Sequence, residues 1–270
     1  MTTEVNPVSE AAHLRVARAG HVARITLARP EAANTVNLAM ARALRAELER
    51  LAADPPRVLV LEGEGGVFCG GGDVREMAAA DDVTAYLEDL AGTFHAALLA
   101  LDDLDCVTIA AVDGAAAGGG LGLALAADVI IATERSRFLT AYEKLGVTPD
   151  SGVSQRLARA VGSARALSMT VLSRPLDAAT AREWGIVADV VPTQQLPSTI
   201  DRLATELASR PTVHIAATRR LIRQGETVDL RAQLMSEASG IARSAAQPHA
   251  SAAIRAFAPQ GPGARQGDSS

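Results

Sequence analysis

The most informative segment of the sequence is VFCGGGDVREM, which runs from Val67 to Met77. Three glycines follow a small apolar cluster, directly after the strand-like segment VLVLEG. A second glycine run, GGGLG at 118–122, follows a second apolar segment, CVTIAAVDG. Glycine lets the main chain turn sharply or approach another group closely. Each run follows a predicted strand and precedes a predicted helix. We therefore expect both loops to present main-chain N–H groups that have no acceptor within the helix.

Several functions are compatible with glycine runs of this kind. A phosphate-binding P-loop is disfavoured because no Lys-Ser/Thr pair follows the glycines. A dinucleotide fingerprint is disfavoured because GGGLG lies far from the first strand–helix turn. Either run alone is equally well explained as a tight turn. Together, however, two such loops can supply two backbone donors to one oxygen, which is the arrangement of an oxyanion hole.

Outward from the loops, the chain alternates between predicted strands and helices. The segment 14–30 alternates apolar and polar residues on both sides of Gly20, which predicts a hairpin. Periodicity predicts helices at 38–53, 83–101 and 121–127, and the apolar runs VLVLEG, CVTIAAVDG and VIIAT predict strands. This alternation indicates an α/β architecture with parallel pairing. From about Asp201 onward, amphipathic helices follow one another without strands.

Composition narrows the class of protein. The chain has 270 residues, of which 48% are hydrophobic, and a net charge of −5, which argues against a nucleic-acid partner. Its two cysteines, Cys69 and Cys106, have no paired spacing, which favours a reducing compartment. The N-terminus is polar, and no apolar run reaches the roughly 18 residues of a membrane span. We therefore expect a cytoplasmic protein with no membrane partner and no metal.

Four segments, in order along the chain, are similar to the successive motifs of one known family. They are RPEAANTVN, VFCGGGDVREM, VDGAAAGGGLGLALAAD and FLTAYEKLGVTPDSGVSQRLARAVG. The chain resembles the crotonase (enoyl-CoA hydratase/isomerase) superfamily from about Leu14 to Phe257. The resemblance implies a crotonase-like spiral of ββα repeats with a helical C-terminal trimerisation region. We therefore expect a spiral core at 1–200, a helical oligomerisation region at 201–258 and a disordered tail at 259–270.

The same resemblance implies an acyl-CoA thioester as substrate. Coenzyme A would be part of that substrate, so no separate cofactor is expected, and the assembly would be a homotrimer or a dimer of trimers. In the family, amides of the two glycine loops hold the thioester carbonyl as it becomes an enolate. By motif position these donors are Gly72 and Gly119, with Gly71 and Gly118 beside them as substrate-binding residues.

The positions of the two family glutamates that grip water in hydratases hold other residues here. By motif position they are Gly122 and Tyr142. Hydration needs one group to activate water and another to deliver a proton to carbon, so the loss of both carboxylates disfavours it. Glu143 would point about 100° away from its neighbour, and we interpret it as a solvated or CoA-side charge. Tyr142 either donates a hydrogen bond or shapes the pocket.

One carboxylate, Asp150 in GVTPDSG, stands at the start of a predicted helix. One interpretation is a helix N-cap, a role that aspartate performs well. The other follows from the resemblance, because family members that move double bonds have an acid at a similar position. A double-bond shift needs a single base, and a carboxylate in an apolar pocket is sufficient.

Each remaining candidate also has more than one interpretation. Asp73 is better explained as a helix cap than as a base. Arg75 matches a family lysine near the CoA phosphates, and Arg219 is a further candidate for that contact, although either is equally well a surface charge. The histidines are scattered, and the sequence has neither a Ser-His-Asp arrangement nor a GxSxG elbow, which disfavours a serine hydrolase. They are His13, His21, His95, His214 and His249.

The sequence thus predicts an enoyl-CoA isomerase with Gly72 and Gly119 as oxyanion hole and Asp150 as base. One alternative in the same fold is a hydratase, or another enolate reaction, that uses Tyr142 and a fixed water. An alternative of another class is a non-catalytic homologue that binds acyl-CoA or serves as an assembly subunit. The missing glutamates are compatible with that alternative, whereas the intact glycine loops count against it.

Overall fold

The computed structural model describes residues 6–11, 13–210, 213–225 and 227–257. The chain divides into two compact units, Met1–Thr212 and Val213–Ser270. Both glycine runs belong to the first unit. The predicted tail at 259–270 lies outside the described residues.

The first unit is built on two β-sheets. Its strands are β1 (Asn6–Ala11), β2 (Leu14–Ala19), β3 (Val22–Leu27), β4 (Val58–Gly63), β5 (Val107–Val112), β6 (Ala115–Ala117), β7 (Val129–Thr133), β8 (Arg137–Leu139), β9 (Leu176–Asp177) and β10 (Asp189–Val191). Seven strands form one sheet in the order β1-β2-β3-β4-β5-β7-β10. The other three form a small sheet in the order β6-β8-β9.

Helices connect these strands and form the described part of the second unit. Those of the first unit are α1 (Leu38–Ala53), α2 (Val74–Ala79), α3 (Val83–Asp103), α4 (Gly119–Ala126), α5 (Val153–Val161), α6 (Ser163–Leu172), α7 (Ala178–Glu183) and α8 (Leu196–Ala208). Those of the second unit are α9 (Val213–Gly225), α10 (Leu230–Ala245) and α11 (Pro248–Phe257). None of the helices in the described ranges has both the length and the hydropathy of a membrane span.

The predicted hairpin and the parallel pairing are confirmed. Strands β2 and β3 are antiparallel, with Leu14 opposite Leu27, and Gly20 lies in the turn with φ of 56°. Strands β3, β4, β5, β7 and β10 then pair in parallel. Every residue of β5 is buried, as expected for a central parallel strand covered on both faces. The predicted α/β architecture is therefore confirmed.

The first unit extends further along the chain than the predicted core at 1–200. Helix α8 crosses that boundary and packs on β3, β4, β5 and β7. It buries Leu196, Ile200 and Ala204, which recur every four residues and so share one face. Because α8 covers the sheet, the division between the units falls after Thr212. The assembly role of the helical region stays a prediction.

The first glycine run lies between two other segments of the chain. Cys69 forms a parallel bridge with β6, and Gly72 forms one with Val36. The second run begins where β6 ends, and the N–H of Gly118 donates to the carbonyl of Leu139, the last residue of β8, at 3.1 Å. The two glycine runs and the chain after β8 therefore lie side by side.

Helix α4 packs on the first glycine run through Gly120. A Cβ at this position would lie 2.3 Å from the carbonyl oxygen of Cys69 and 2.8 Å from its Sγ. We therefore expect Gly120→Ala to lower the free energy of unfolding by about 2–3 kcal/mol, as overpacked cores do. Urea denaturation measures this change.

Gly92→Ala is the matched control for that substitution. Gly92 lies within α3, and a Cβ there would meet no atom within 4 Å. Replacing an exposed helix glycine by alanine should raise the free energy of unfolding by about 0.5–1 kcal/mol. Equal effects of the two substitutions would contradict the close packing at Gly120.

Candidate active site

Both glycine runs open into one cavity of about 600 Å³ within the first unit. This volume lies in the usual range of small-molecule sites in proteins. The two runs, α2, α3 and the segment 140–151 form its wall. The cavity brings together most of the predicted site residues, namely Gly71, Gly72, Gly118, Gly119, Tyr142 and Asp150.

The two glycine runs approach each other through their main chains. Gly71 has φ of 99°, a conformation that residues with side chains rarely adopt. A Cβ there would lie 2.8 Å from the carbonyl oxygen of Ala117, and a Cβ at Gly118 would lie 3.8 Å from the Cα of Gly71. A side chain at Gly71 would therefore push the runs apart.

Two main-chain N–H groups are the candidate donors in this cavity. The N–H of Val36 donates to the carbonyl of Gly71 at 2.7 Å, and the N–H of Asp73 donates to the carbonyl of Val36 at 2.9 Å. Successive residues of an extended segment present their N–H groups to opposite sides, so the N–H of Gly72 faces away from Val36. Gly119 is the first residue of α4, where an N–H has no acceptor within the helix.

The carboxylate of Asp73 fixes the end of the first run. It accepts hydrogen bonds from the N–H groups of Arg75 and Glu76 at 3.0 and 3.2 Å, which confirms the helix-cap interpretation. Arg29 forms a salt bridge with the same carboxylate. Burial acts to raise the pKa of Asp73, but the hydrogen bonds from Arg29 and from α2 outweigh it and hold the pKa below its ordinary value. Asp73 is therefore an ionised structural group.

Two predicted basic residues lie outside the cavity wall. Arg75 is exposed on α2, and Arg219 is buried on α9 of the second unit. Their contact with CoA phosphates stays a prediction. The basic side chain among the described wall residues is that of Lys144, in the short 3-10 helix Glu143–Leu145.

Tyr142 and Asp150 form a hydrogen-bonded pair. The Tyr142 hydroxyl donates to Oδ1 of Asp150 at 2.7 Å. Burial raises the pKa of Tyr142, and so do the negative charge of Asp150 and this hydrogen bond. The hydroxyl therefore stays protonated and remains a donor. Of the two interpretations of Tyr142, the structure supports the hydrogen-bond donor, with Asp150 as its acceptor.

Asp150 does not cap the helix that follows it. The N-cap residue of α5 is Gly152, and no side chain caps this helix. The N–H of Val153 instead bonds to the main-chain carbonyl of Asp150, because the chain turns through left-handed conformations at Ser151 and Gly152. The helix-cap alternative for Asp150 is therefore wrong. Its carboxylate bonds to Tyr142 and is 37% exposed.

A histidine that belongs to no sequence motif, His95, lies beside this carboxylate. Nε2 of His95 is 3.4 Å from Oδ2 of Asp150 and accepts a hydrogen bond from the N–H of Ser151 at 3.0 Å. The imidazole accepts that bond at Nε2 when its proton is on Nδ1, whereas a proton on Nε2 would be donated to Asp150 instead. The position of the proton on the His95 ring therefore determines which of the two contacts is a hydrogen bond.

The helical period of α3 predicts the side of the helix on which His95 lies. Leu87 and Ala91 line the cavity from α3, and His95 follows Ala91 by four residues, which places it on the same side of the helix. The partner carboxylate, Asp150, lies on a loop much further along the chain. Sequence spacing alone therefore pairs this histidine with no acid.

The two positions that hold glutamates in family hydratases supply no carboxylate to the cavity. A Cβ at Gly122 would lie 2.5 Å from the carbonyl oxygen of Ser151, so main chain closes that position. Tyr142 occupies the other position. Glu143 is exposed and lies outside the wall. Within the described wall, Asp150 is the only carboxylate.

The sequence of this chain, and not only its site, is similar to known proteins. The sequence profile described as "Enoyl-CoA hydratase/isomerase" matches residues 17–263. The chain belongs to this family. The resemblance drawn from the four motifs is thereby confirmed.

Solved structures of the enoyl-CoA hydratase/isomerase family share the fold. A Mycobacterium abscessus protein of the enoyl-CoA hydratase/isomerase type has a TM-score of 0.86 at 35% identity, over 90% of this chain and 95% of that chain. A Thermobifida fusca protein of the enoyl-CoA hydratase type, solved in complex with acetoacetyl-CoA, has a TM-score of 0.78 at 32% identity. That match covers 87% of this chain and 95% of that chain. The predicted crotonase-like fold is confirmed.

Relatives within the enoyl-CoA hydratase/isomerase family are named for three different reactions. The 4-chlorobenzoyl coenzyme A dehalogenase-2 of Arthrobacter sp is 32% identical, over 88% of this chain and 87% of its own. The 1,2-epoxyphenylacetyl-CoA isomerase of Escherichia coli is 36% identical, over 79% and 82%. The 2,3-dehydroadipyl-CoA hydratase of E. coli is also 36% identical, over 83% and 87%. Family membership therefore does not determine the reaction, which depends on the side chains of the site.

Proposed function

We propose that this member of the enoyl-CoA hydratase/isomerase family moves a double bond in an acyl-CoA thioester, with Asp150 as its single proton-transfer group. The observation that carries the proposal is a lone carboxylate in the described wall of the cavity that holds both glycine runs. A double-bond shift needs one such group, because the proton removed from one carbon is returned to another.

In this proposal the N–H groups of Gly72 and Gly119 form the oxyanion hole. The thioester oxygen gains negative charge as the neighbouring carbon loses its proton, and two fixed donors stabilise that charge. The close approach of Gly71 to Ala117 supports this role because it holds the two donors on adjoining segments. In the complex, the oxygen would lie about 2.7–3.1 Å from both nitrogens.

Asp150 would carry the proton between the two carbons. Its carboxylate accepts the proton from the carbon next to the thioester, and the C–H electron pair enters the enolate. It then returns the proton to the far carbon of the conjugated system, and the electron pair forms the new C–H bond. Tyr142 bonds to Oδ1, so Oδ2 is the oxygen assigned to the transfer. The relative named 1,2-epoxyphenylacetyl-CoA isomerase supports this reaction type by analogy.

The other two predicted alternatives have less support. Hydration needs a second group beside Asp150, and that group would have to be Tyr142 acting with a fixed water. Tyr142 already donates to Asp150, which makes it unsuited to activate water. A non-catalytic acyl-CoA binder would have no need for a hydrogen bond that orients the carboxylate.

Asp150→Asn tests the proposed base. We expect it to lower the isomerisation rate on 3-enoyl-CoA by about 10²- to 10⁴-fold, the usual contribution of a positioned acid–base group. Acyl-CoA affinity should stay nearly unchanged, because binding rests on the backbone amides and the apolar wall. Turnover assays and titration calorimetry measure the two quantities.

Glu143→Gln is the control for Asp150→Asn, because Glu143 is exposed on the same segment and lies outside the wall. We expect its turnover to remain within about twofold of the wild type, as for a solvated charge. Near-full turnover in Asp150→Asn would overturn the assignment. A wild type that binds acyl-CoA but turns over no 2-enoyl-, 3-enoyl- or dienoyl-CoA would favour the non-catalytic alternative.

His95 favours a second candidate function. A carboxylate can also act as a nucleophile, and the relatives from Arthrobacter are named 4-chlorobenzoyl coenzyme A dehalogenases. In that reaction Asp150 would add to the ring carbon that bears chlorine, and chloride would leave with its bonding electron pair. Water, deprotonated by the neighbouring His95, would then cleave the resulting aryl ester and restore the carboxylate.

His95→Gln distinguishes the two candidates, because only the second one uses the imidazole as a base. With 4-chlorobenzoyl-CoA, a nucleophilic Asp150 predicts chloride release by the wild type. The variant should accumulate a covalent adduct, visible in the intact-protein mass, because ester cleavage is slowed by about 10²-fold or more. If Asp150 serves only as a base, neither protein releases chloride, and His95→Gln retains most of its isomerase activity.

We also propose that the chain assembles as a trimer or a dimer of trimers through its second unit. The described part of this unit exposes seven large apolar side chains, and exposed apolar patches are typical of protein–protein interfaces. They are Ile222, Leu230, Leu234, Met235, Ile241, Ile254 and Phe257.

Light scattering tests this assembly. We expect a mass three or six times the chain mass of 27.9 kDa. Ile241→Lys should shift the mass toward the monomer, because an interface that buries an unpaired charge is destabilised. A wild type that is monomeric at micromolar concentration would contradict the proposal.

A further inference from the structure

The loop that carries Asp150 is held by three contacts. The Tyr142 hydroxyl donates to Oδ1 of Asp150 at 2.7 Å. Ser151, the next residue, packs against α4, since a Cβ at Gly122 would lie 2.5 Å from its carbonyl oxygen. The N–H of Ser151 donates to Nε2 of His95 at 3.0 Å. Two of the three contacts therefore act on Ser151, and through it on the carboxylate that precedes it.

Ser151 adopts a conformation that depends on such contacts. Its φ is 54°, in the left-handed region that residues with side chains rarely adopt, and only 1% of its surface is exposed. If the bond to His95 were lost, the main-chain N–H of Ser151 would be buried without an acceptor, which is unfavourable. The imidazole of His95 therefore stabilises the turn that follows Asp150.

The same nitrogen of His95 also lies beside the oxygen assigned to proton transfer. Nε2 is 3.4 Å from Oδ2 of Asp150. It can accept from Ser151 only through its lone pair, and it can donate to Asp150 only as an N–H, so it cannot do both at once. With the ring proton on Nδ1, the turn is held and Oδ2 is free. With a proton on Nε2, the ring donates to Oδ2 and loses the bond to Ser151.

The elements around His95 bring few titratable groups to the ring. Helix α1 packs on α3 through a buried face that is entirely apolar, and α4 contains no charged residue. On α2, Glu76 accepts a hydrogen bond from Tyr86, more than two turns of α3 before His95. On α5, Arg156 is paired with Asp102. The segment 140–151 supplies the remaining groups, which are Tyr142, Glu143, Lys144 and Asp150.

Of the two side chains that contact this loop by hydrogen bonds, one keeps its proton and the other exchanges it. Burial, the charge of Asp150 and the hydrogen bond to it all raise the pKa of Tyr142, so its hydroxyl stays a donor. Imidazole is the side chain that ordinarily gains and loses a proton between pH 5 and 8. The contact made by His95 is therefore the one that responds to pH.

We propose that His95 is a positioning residue for Asp150 and sets the acid limit of the reaction. A neutral ring with its proton on Nδ1 holds the turn at Ser151 and leaves Oδ2 free to accept the proton of the substrate. When a proton from solvent binds Nε2, the cationic ring pairs with Oδ2 and releases Ser151, so the base is neither held nor available. This inference rests on the proposed use of Asp150 as the proton-transfer group.

A pH profile of His95→Gln tests the proposal, because the glutamine oxygen can accept from Ser151 but takes up no proton. We expect kcat/KM of the wild type for 3-enoyl-CoA to fall about tenfold per pH unit as the imidazole becomes protonated. In His95→Gln the plateau should stay within about twofold of the wild type, and the fall should begin about one pH unit lower or more. Identical acid limbs in the two proteins would overturn the proposal.

His95→Leu separates positioning from charge. Leucine offers Ser151 no acceptor, so kcat/KM should fall by about 10- to 100-fold at every pH, the effect of a misplaced catalytic group. His21→Gln is the control, because His21 is exposed in the turn between β2 and β3, and it should keep the wild-type profile. Equal plateaus in His95→Gln and His95→Leu would contradict the positioning role.

Nitrogen-15 NMR of the imidazole rings reads the position of the proton without turnover and in the unsubstituted protein. The signals of His95 are those that disappear in His95→Gln. In the neutral ring we expect the proton on Nδ1, since Nε2 accepts from Ser151. A neutral ring that carries its proton on Nε2 would overturn the proposal.

Failure of the proposed reaction would look different. A protein whose neutral His95 carries its proton on Nδ1, but which turns over no enoyl-CoA, would contradict the isomerase function and support the contact with Ser151. An isomerase whose acid limb is the same in the wild type and in His95→Gln would do the opposite.

Discussion

The contact between the main chain of Gly71 and the carbonyl oxygen of Ala117 sets the spacing on which the site depends. A Cβ at Gly71 would lie only 2.8 Å from that oxygen, so the two runs can adjoin only where side chains are absent. Helices α2 and α4 start from these runs, with Asp73 and Gly118 as their N-cap residues. The position of two helices and two amides thus follows from one packing constraint on the backbone.

The chemistry, by contrast, rests on a few side chains carried by that backbone. Asp150 lies on the segment 140–151, is bonded by Tyr142 and is flanked by His95 from α3. The relatives at similar identity are named for isomerisation, hydration and dehalogenation. A fixed pair of glycine loops is compatible with more than one reaction, because main-chain donors stabilise charge on a carbonyl oxygen whichever side chain moves the proton. The reaction then depends on which acid or base groups surround that carbonyl.

Local patterns predicted most of the fold and only part of the site. Three features follow from properties of neighbouring residues. Alternation of apolar and polar residues predicts the hairpin at Gly20, and apolar runs predict the parallel strands. The backbone freedom of glycine predicts the helix starts after both glycine runs. Asp150 is not an N-cap because the chain turns through left-handed conformations at Ser151 and Gly152. A serine in that conformation has no sequence signature. Sequence spacing does not pair His95 with Asp150, because the two are distant along the chain. The pattern of α8 predicts a helix but does not reveal which surface that helix covers.

The first glycine run pairs with segments that are distant along the chain, and this affects the order of folding. Gly72 bridges to Val36, Cys69 bridges to β6, and β6 pairs with β8, so the site needs four stretches of chain that are far apart in sequence. Each of these pairings closes a long loop, and such non-local contacts form slowly. The wall of the cavity is therefore complete only when β8 has paired with β6, because the segment 140–151 follows β8 directly. During synthesis, a ribosome-bound chain that ends before this segment would contain both glycine runs but no assembled site.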